Sequence, residues 1–126
     1  MEDKDRGLKH RELTQRISGV FYEVYNELGH GFLESVYETA FEIALVSKGI
    51  NVLTQIEVPV WFRGKKIGDF KADMLVEGSV LLELKAGSRL NPAHEAQLLN
   101  YLRATEIEVE LLFSFGLKPE VKRLGL

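Results

Sequence analysis

The hydrophobic positions change their period along the chain. Leu13, Ile17, Val20, Phe21, Val24 and Leu28 recur at the spacing of one buried helical face, and Gly29 supplies a stop. After a Gly-His-Gly joint a second helix is predicted over roughly 33–48, with Val36, Tyr37, Ala40, Phe41, Ala44 and Leu45 inward and Gly49 ending it. From there the pattern reads as strands. "INVLTQIEVPVWF" turns at Arg63-Gly64-Lys65, "KIGDFKADMLV" returns to a turn around Gly78, and "VLLELKA" follows. Asn91 with Pro92 behind it predicts an N-cap and first helical position, opening a helix through about Ala104. "VELLFSFG" is a further strand, and "VKRLGL" a candidate short last one. The order is α-α-β-β-β-α-β-(β). A helix between the third and fourth strands permits a parallel crossover, so the expected class is α/β: a mixed sheet flanked by helices.

Composition narrows this without changing it. A chain of 126 residues suits one domain over 1–126, with residues 1–10 as a polar N-terminal tail. Hydrophobic residues at 45% and charged ones at 28% are an ordinary globular mixture. The absence of cysteine excludes disulfides and thiolate metal sites and fits a reducing compartment. No apolar run approaches a membrane span and "MEDKDRGLKH" lacks the apolar region of a signal peptide, so a soluble, cytoplasmic protein is expected. A formal charge of −3 gives no global pull toward nucleic acid; such binding needs a local basic patch.

Against that background, "DFKADMLVEGSVLLELKAG" carries Asp73, Glu83 and Lys85 in runs otherwise suited to burial. With a three-residue Glu77-Gly78-Ser79 loop, Val76 faces Val80 and Asp73 faces Glu83. Asp73, Leu75, Leu81, Glu83 and Lys85 then share one face, and Met74, Val76, Val80, Leu82 and Leu84 the other. Both faces are apolar apart from the charges, as in a sheet covered on both sides. Opposed like charges destabilise a strand pair, so a partly buried acid pair needs a cation: Lys85, or a divalent metal held by hard oxygen ligands. A two-residue Gly78-Ser79 turn instead separates the acids onto opposite faces. Spacing alone also allows exposed acids and a surface lysine.

Asp73 followed by Glu83-Leu84-Lys85 resembles the D…ExK pattern of the PD-(D/E)xK nuclease superfamily. More narrowly, Gly31, Glu34 and Tyr37 of "GFLESVY" resemble the naming motif of the GxxExxY proteins. The likeness continues through "KADMLVEGSVLLELKAG", "HEAQLLNYLRAT" and "LLFSFG", from about residue 17 to the C-terminus. Ala72 stands where the superfamily name has proline. The resemblance implies a restriction-endonuclease-like core and hydrolysis of phosphodiester bonds with Mg²⁺ or Mn²⁺.

On that resemblance Asp73 and Glu83 are carboxylate ligands, the backbone carbonyl of Leu84 a third, and Glu34 an acid reaching the metal through water. Two carboxylates suffice for Mg²⁺, which normally keeps several waters. Lys85 positions the attacking water and offsets charge in the transition state. Without the family, Glu34 is a helix-start carboxylate favoured by the macrodipole. Gln97 and Tyr101, four apart on one side of the third helix with His94 one turn earlier, resemble the QxxxY motif of exonuclease branches. There they support the lysine or touch a phosphate; the plainer reading is a polar stripe beside Leu98, Leu99 and Leu102. His94 reads as a surface or supporting residue, His30 as a loop residue, and Trp61 as sheet packing. Lys65, Lys66, Lys71 and Arg89 are candidates for a phosphate patch, although such charges usually mark a solvated face.

The expected function is therefore a metal-dependent nuclease acting on DNA in preference to RNA. The alternatives are a nucleic-acid-binding module with weak or lost catalysis, or a protein-interaction scaffold. With no appended recognition element, substrate choice could depend on a homo-oligomer or a protein partner.

Overall fold

The computed structural model describes residues 10–87 and 90–125. Arg89 and, apart from His10, the expected N-terminal tail lie outside the described residues; His10 itself caps the first helix. The elements are α1 (Arg11–Leu28), α2 (Glu34–Ser47), β1 (Val52–Phe62), β2 (Lys65–Val76), β3 (Val80–Lys85), α3 (Pro92–Ala104), β4 (Val109–Phe115) and β5 (Pro119–Gly125). The strands form one sheet in sequence order, antiparallel except for β3 against β4. That parallel step is the one that needs a long connection, and α3 supplies it. The expected mixed α/β order stands, with β5 a full strand that begins two residues earlier than "VKRLGL".

Apolar layers cover both faces. Against α1 and α2 pack Met74, Val76, Val80, Leu82 and Leu84, together with Phe113 and Phe115 of β4 and a cluster of Phe21, Tyr37 and Phe41. Against Leu98 and Leu102 of α3 pack Val58, Ala72, Leu81, Leu112 and Leu124. Period-two alternation from residue 74 onward thus sorts the side chains as the sequence predicts. One inward assignment fails: Val36 is 40% exposed. The buried stripe of α2 is Tyr37, Phe41 and Leu45, one turn apart, and Val36 falls just beyond its edge. No helix among the described residues is long and apolar enough to cross a membrane.

The turns set the register. Arg63 and Gly64 have φ of 50° and 76°, the left-handed pair of a tight hairpin joining Phe62 to Lys65. At the next hairpin Glu77 and Gly78 have φ of 53° and 63°, Ser79 N–H donates to the Val76 carbonyl at 2.9 Å, and Val76 faces Val80. The loop is therefore the three-residue one.

Candidate active site

The ladder between β2 and β3 runs only through Met74↔Leu82, Leu75↔Leu81 and Val76↔Val80. It stops one pair short of Asp73 and Glu83, so those acids do not face each other as a paired position. Asp73 explains the break. Its Oδ2 accepts the Leu84 N–H at 2.7 Å, taking the place of a backbone acceptor on β2. The two strands part at this point, and the Asp73 carboxylate lies in the plane of the sheet, inside the fork. In an extended strand the N–H and C=O of one residue point to the same edge. The Leu84 carbonyl is accordingly directed into the fork as well.

A second irregularity fixes Asp73 from behind. Thr54 faces Met74 and Ile56 faces Ala72, while Gln55 between them has φ of 50°, rare for a residue with a side chain. Here the two faces exchange. Phe70 and Ala72 belong to the α3 layer, whereas Met74 and Val76 belong to the α1/α2 layer. Simple alternation had placed Asp73 on a face; the inversion puts it between faces. The Gln55 amide also donates to Glu38 Oε1 at 2.7 Å and hydrogen-bonds to Asp73.

Glu34 reaches the fork from the other side. At the start of α2 its Oε2 accepts the Ala86 N–H, just past β3, at 3.3 Å. The loop before it is pinned by Tyr37, whose buried hydroxyl donates to the Gly29 carbonyl and accepts the Phe32 N–H. Its ring stacks on Phe115, 4.1 Å between centroids. Gly31, at φ of 111°, makes a bend that a side chain would strain. Gly31 and Tyr37 together set the helix start that aims Glu34, which gives the GxxExxY spacing a physical reading.

The electrostatics are those of acids crowded around one lysine. Burial pushes Glu83 up to about 7, with Asp73 adding repulsion, Lys85 opposing and Glu34 adding more. Burial likewise raises Asp73, opposed by the Leu84 N–H; Glu34 raises it further, while Gln55 and Lys85 lower it. Glu38 is raised by burial too, with the Gln55 hydrogen bond opposing and Asp73 contributing. Glu83 Oε1 is buried and has no hydrogen-bond partner.

A fully buried acid in β4 escaped the sequence pattern. Glu110 in β4 pairs with Leu81, shares a face with Leu112, is 0% exposed and has neither carboxylate oxygen partnered. Burial, then Glu83, then Asp73 push it up to about 8. The signal was available: "VELLFSF" holds one charge in a strand that the parallel crossover makes central. Gln55 and Glu38 were missed as well, and no motif marks them.

Gln97 is exposed on α3, and Tyr101 stacks on Phe70, 4.8 Å between centroids at 24°. His94 is half-buried with Nε2 unpartnered, and His30 is exposed. Among the described residues no three His, Asp or Glu side chains stand close enough to hold a metal ion together. The groups that could serve as hard donors are Asp73, the Leu84 carbonyl and Glu83, one of whose oxygens is unpartnered. That fits a hard cation that keeps most of its water rather than one held in a protein cage. A concavity of about 640 Å³ lined by Val46, Asn51, Leu53, Glu77 and Gly78 contains none of these acids.

The profile of the PD-(D/E)XK nuclease superfamily matches residues 11–124. Among curated proteins none matches the chain. A solved structure described as "Crystal structure of SSO0001" is similar, with a TM-score of 0.53 and 21% identity over 72% of this chain and 48% of that one. At that identity the likeness is one of fold, and this chain spans about half of the other's length.

Proposed function

Because the chain belongs to the PD-(D/E)XK nuclease superfamily, we propose that it is a metal-dependent phosphodiester hydrolase of the GxxExxY branch, acting on DNA. The observation that carries this reading is the fork itself, where Asp73 bonds Leu84 N–H beside an unpartnered, buried Glu83 oxygen and Lys85. Asp73, Glu83 and the Leu84 carbonyl would hold Mg²⁺ or Mn²⁺, with Glu34 acting through water. Such an ion supplies Lewis acidity and lowers the pKa of bound water. The Leu84 N–H and the Gln55 amide fix the orientation of the Asp73 carboxylate. Lys85 places a positive charge beside the acids, where it can hold the attacking water and meet charge developing on phosphate.

One arrangement favours a second reading, a nucleic-acid-binding module with weak or lost catalysis. Gln97 is exposed and the Tyr101 ring stacks on Phe70, so the place of each in the fold is accounted for without a contact to Lys85. Salt dependence of DNA affinity does not separate the readings, because both release counterions. Product ends do. Cleavage assays with Mg²⁺ and Mn²⁺ on single-stranded, duplex and branched DNA are expected to give new ends. Sustained DNA binding with no new ends for any metal would hand the case to the binding module.

Calorimetric titration tests the ligand assignment directly. Asp73→Asn and Glu83→Gln are each expected to weaken Mn²⁺ binding strongly while keeping the fold. Unchanged affinity in both variants removes the metal from this fork. Stability supplies a companion test that needs no substrate. Clustered carboxylates repel in metal-free protein by roughly 0.2–1 kcal/mol per pair, more when desolvated. Glu83→Gln should therefore be neutral or stabilising in EDTA. Added Mg²⁺ or Mn²⁺ should raise the wild-type melting temperature by mass action and do little for the variant. A Gln variant markedly less stable in EDTA would mean that Glu83 is a structural partner of Lys85.

A further inference from the structure

The β1–β2 hairpin outruns the sheet. β2 contacts β3 only over Met74–Val76, so from Asp73 back to Lys65 it runs on with β1 as a two-stranded ribbon. Because β2 and β3 are antiparallel, this ribbon and the Glu83–Lys85 end of β3 leave the ladder in the same direction. At about 3.3 Å per residue, the turn lies roughly 25 Å from Asp73 along the strand. The base is anchored, with Phe70 stacked on Tyr101 and Val58 packed in the α3 layer. Residues 61–69 are all exposed.

That end has an unusual composition for this chain. Trp61, Phe62 and Ile67 are 42%, 56% and 64% exposed. Trp61 faces Lys66 and Phe62 faces Lys65, and a register shift beside Val60 leaves Ile67 as the extra, re-aimed residue of a bulge. The Arg63 guanidinium lies 4.9 Å over the Phe62 ring at the tip. Arg63, Lys65 and Lys66 are opposed between residues 61 and 69 only by Asp69, which holds Lys66 at 3.0 Å, while Lys71, nearer the base, faces Glu57 across the ribbon. A cluster of cations thus sits at the end of an arm on a protein whose formal charge is −3.

We infer that the end of the β1–β2 hairpin, Trp61–Lys71, is an arm that grips the major groove of double-stranded DNA beside the fork. The inference rests on the hydrolase reading for its substrate and adds the duplex class to it. A two-stranded ribbon fits a major groove about 12 Å wide. The arm's length lets the phosphates that border the groove meet the cations while the backbone nearer its base reaches Asp73. Single-strand stacking fits less well, since Trp61 and Phe62 are neighbours on a strand and point to opposite faces.

The test is the variant Arg63→Gln/Lys65→Gln/Lys66→Gln, whose changes lie on exposed positions and should leave the melting temperature unchanged. Binding is read by fluorescence anisotropy in EDTA, so that nothing is cut, on a duplex of about 20 base pairs and a single strand of equal length. Wild type is expected to prefer the duplex. The variant should bind it at least about tenfold more weakly, with a salt slope shallower by roughly 0.9 for each phosphate it no longer neutralises. Its Mn²⁺ affinity should be unchanged. Equal duplex affinity and slope in variant and wild type overturns the arm and leaves the hydrolase reading standing. A loss confined to the single strand, or self-association of wild type that the variant abolishes, also overturns it. Arm-dependent duplex binding without Mn²⁺ binding or cleavage keeps the arm and sinks the hydrolase.

Discussion

In metal-free buffer the protein should lose stability as pH rises from about 5 to about 9, and Glu110→Leu should remove the largest single share of that loss. The sign follows from proton binding. In the unfolded chain Glu110 ionises near its ordinary value of 4.5, whereas in the fold it holds its proton up to about 8. Between those values the folded state binds more protons, so the contribution is fully present below 4.5 and is lost as pH passes 8. A displacement of that size is worth on the order of 4–5 kcal/mol, at about 1.4 kcal/mol per pH unit. Glu83, raised to about 7 by burial and by Asp73, acts in the same direction, and the two are not additive. Urea unfolding in EDTA at several pH values reads the effect. Glu110→Leu should match wild type at low pH and exceed it by several kcal/mol above pH 8, because an apolar side chain needs no partner there. Parallel pH profiles for the two proteins would show that Glu110 finds a partner on ionising.

Most of the scaffold around this acid was legible because its punctuation is local. Asn91 accepts the Ala93 N–H at 2.8 Å with Pro92 in the first turn, as an Asn-Pro pair before an apolar run predicts. Gly29 and Gly64 stop a helix and close a hairpin through their own backbone freedom. The site was legible in part. The ExK spacing places Glu83 and Lys85 on one face through strand alternation alone. What stayed hidden depends on two strands at once. Gln55 takes a left-handed conformation that no composition rule assigns to glutamine, and the faces of β1 and β2 exchange there. The fork exists because the Asp73 side chain outcompetes a backbone carbonyl for Leu84 N–H, and nothing in either strand alone says which will win.

Lys85→Ala should reduce cleavage by about 10²–10³-fold, the loss usual for one electrostatic group aimed at developing charge. It should nonetheless still bind Mn²⁺. Lys85 is half-buried at the end of β3, where its charge lowers the pKa of both Asp73 and Glu83. Removing it therefore takes away a competitor for the carboxylates as well as a counterion. Without the lysine the acids hold their protons to higher pH, so metal binding should shift toward higher pH rather than disappear. Assays near pH 8.5 keep the carboxylates available in both proteins and isolate the effect on rate. A fall in turnover with little change in substrate affinity marks a group used only in the transition state. Lys85→Arg retains the charge but spreads it over a planar fork, and should recover the pH profile of metal binding without full activity. Wild-type turnover in Lys85→Ala would remove the lysine from the chemistry. Loss of Mn²⁺ binding in step with the rate would reduce it to an ion-pair partner that keeps the fork from closing.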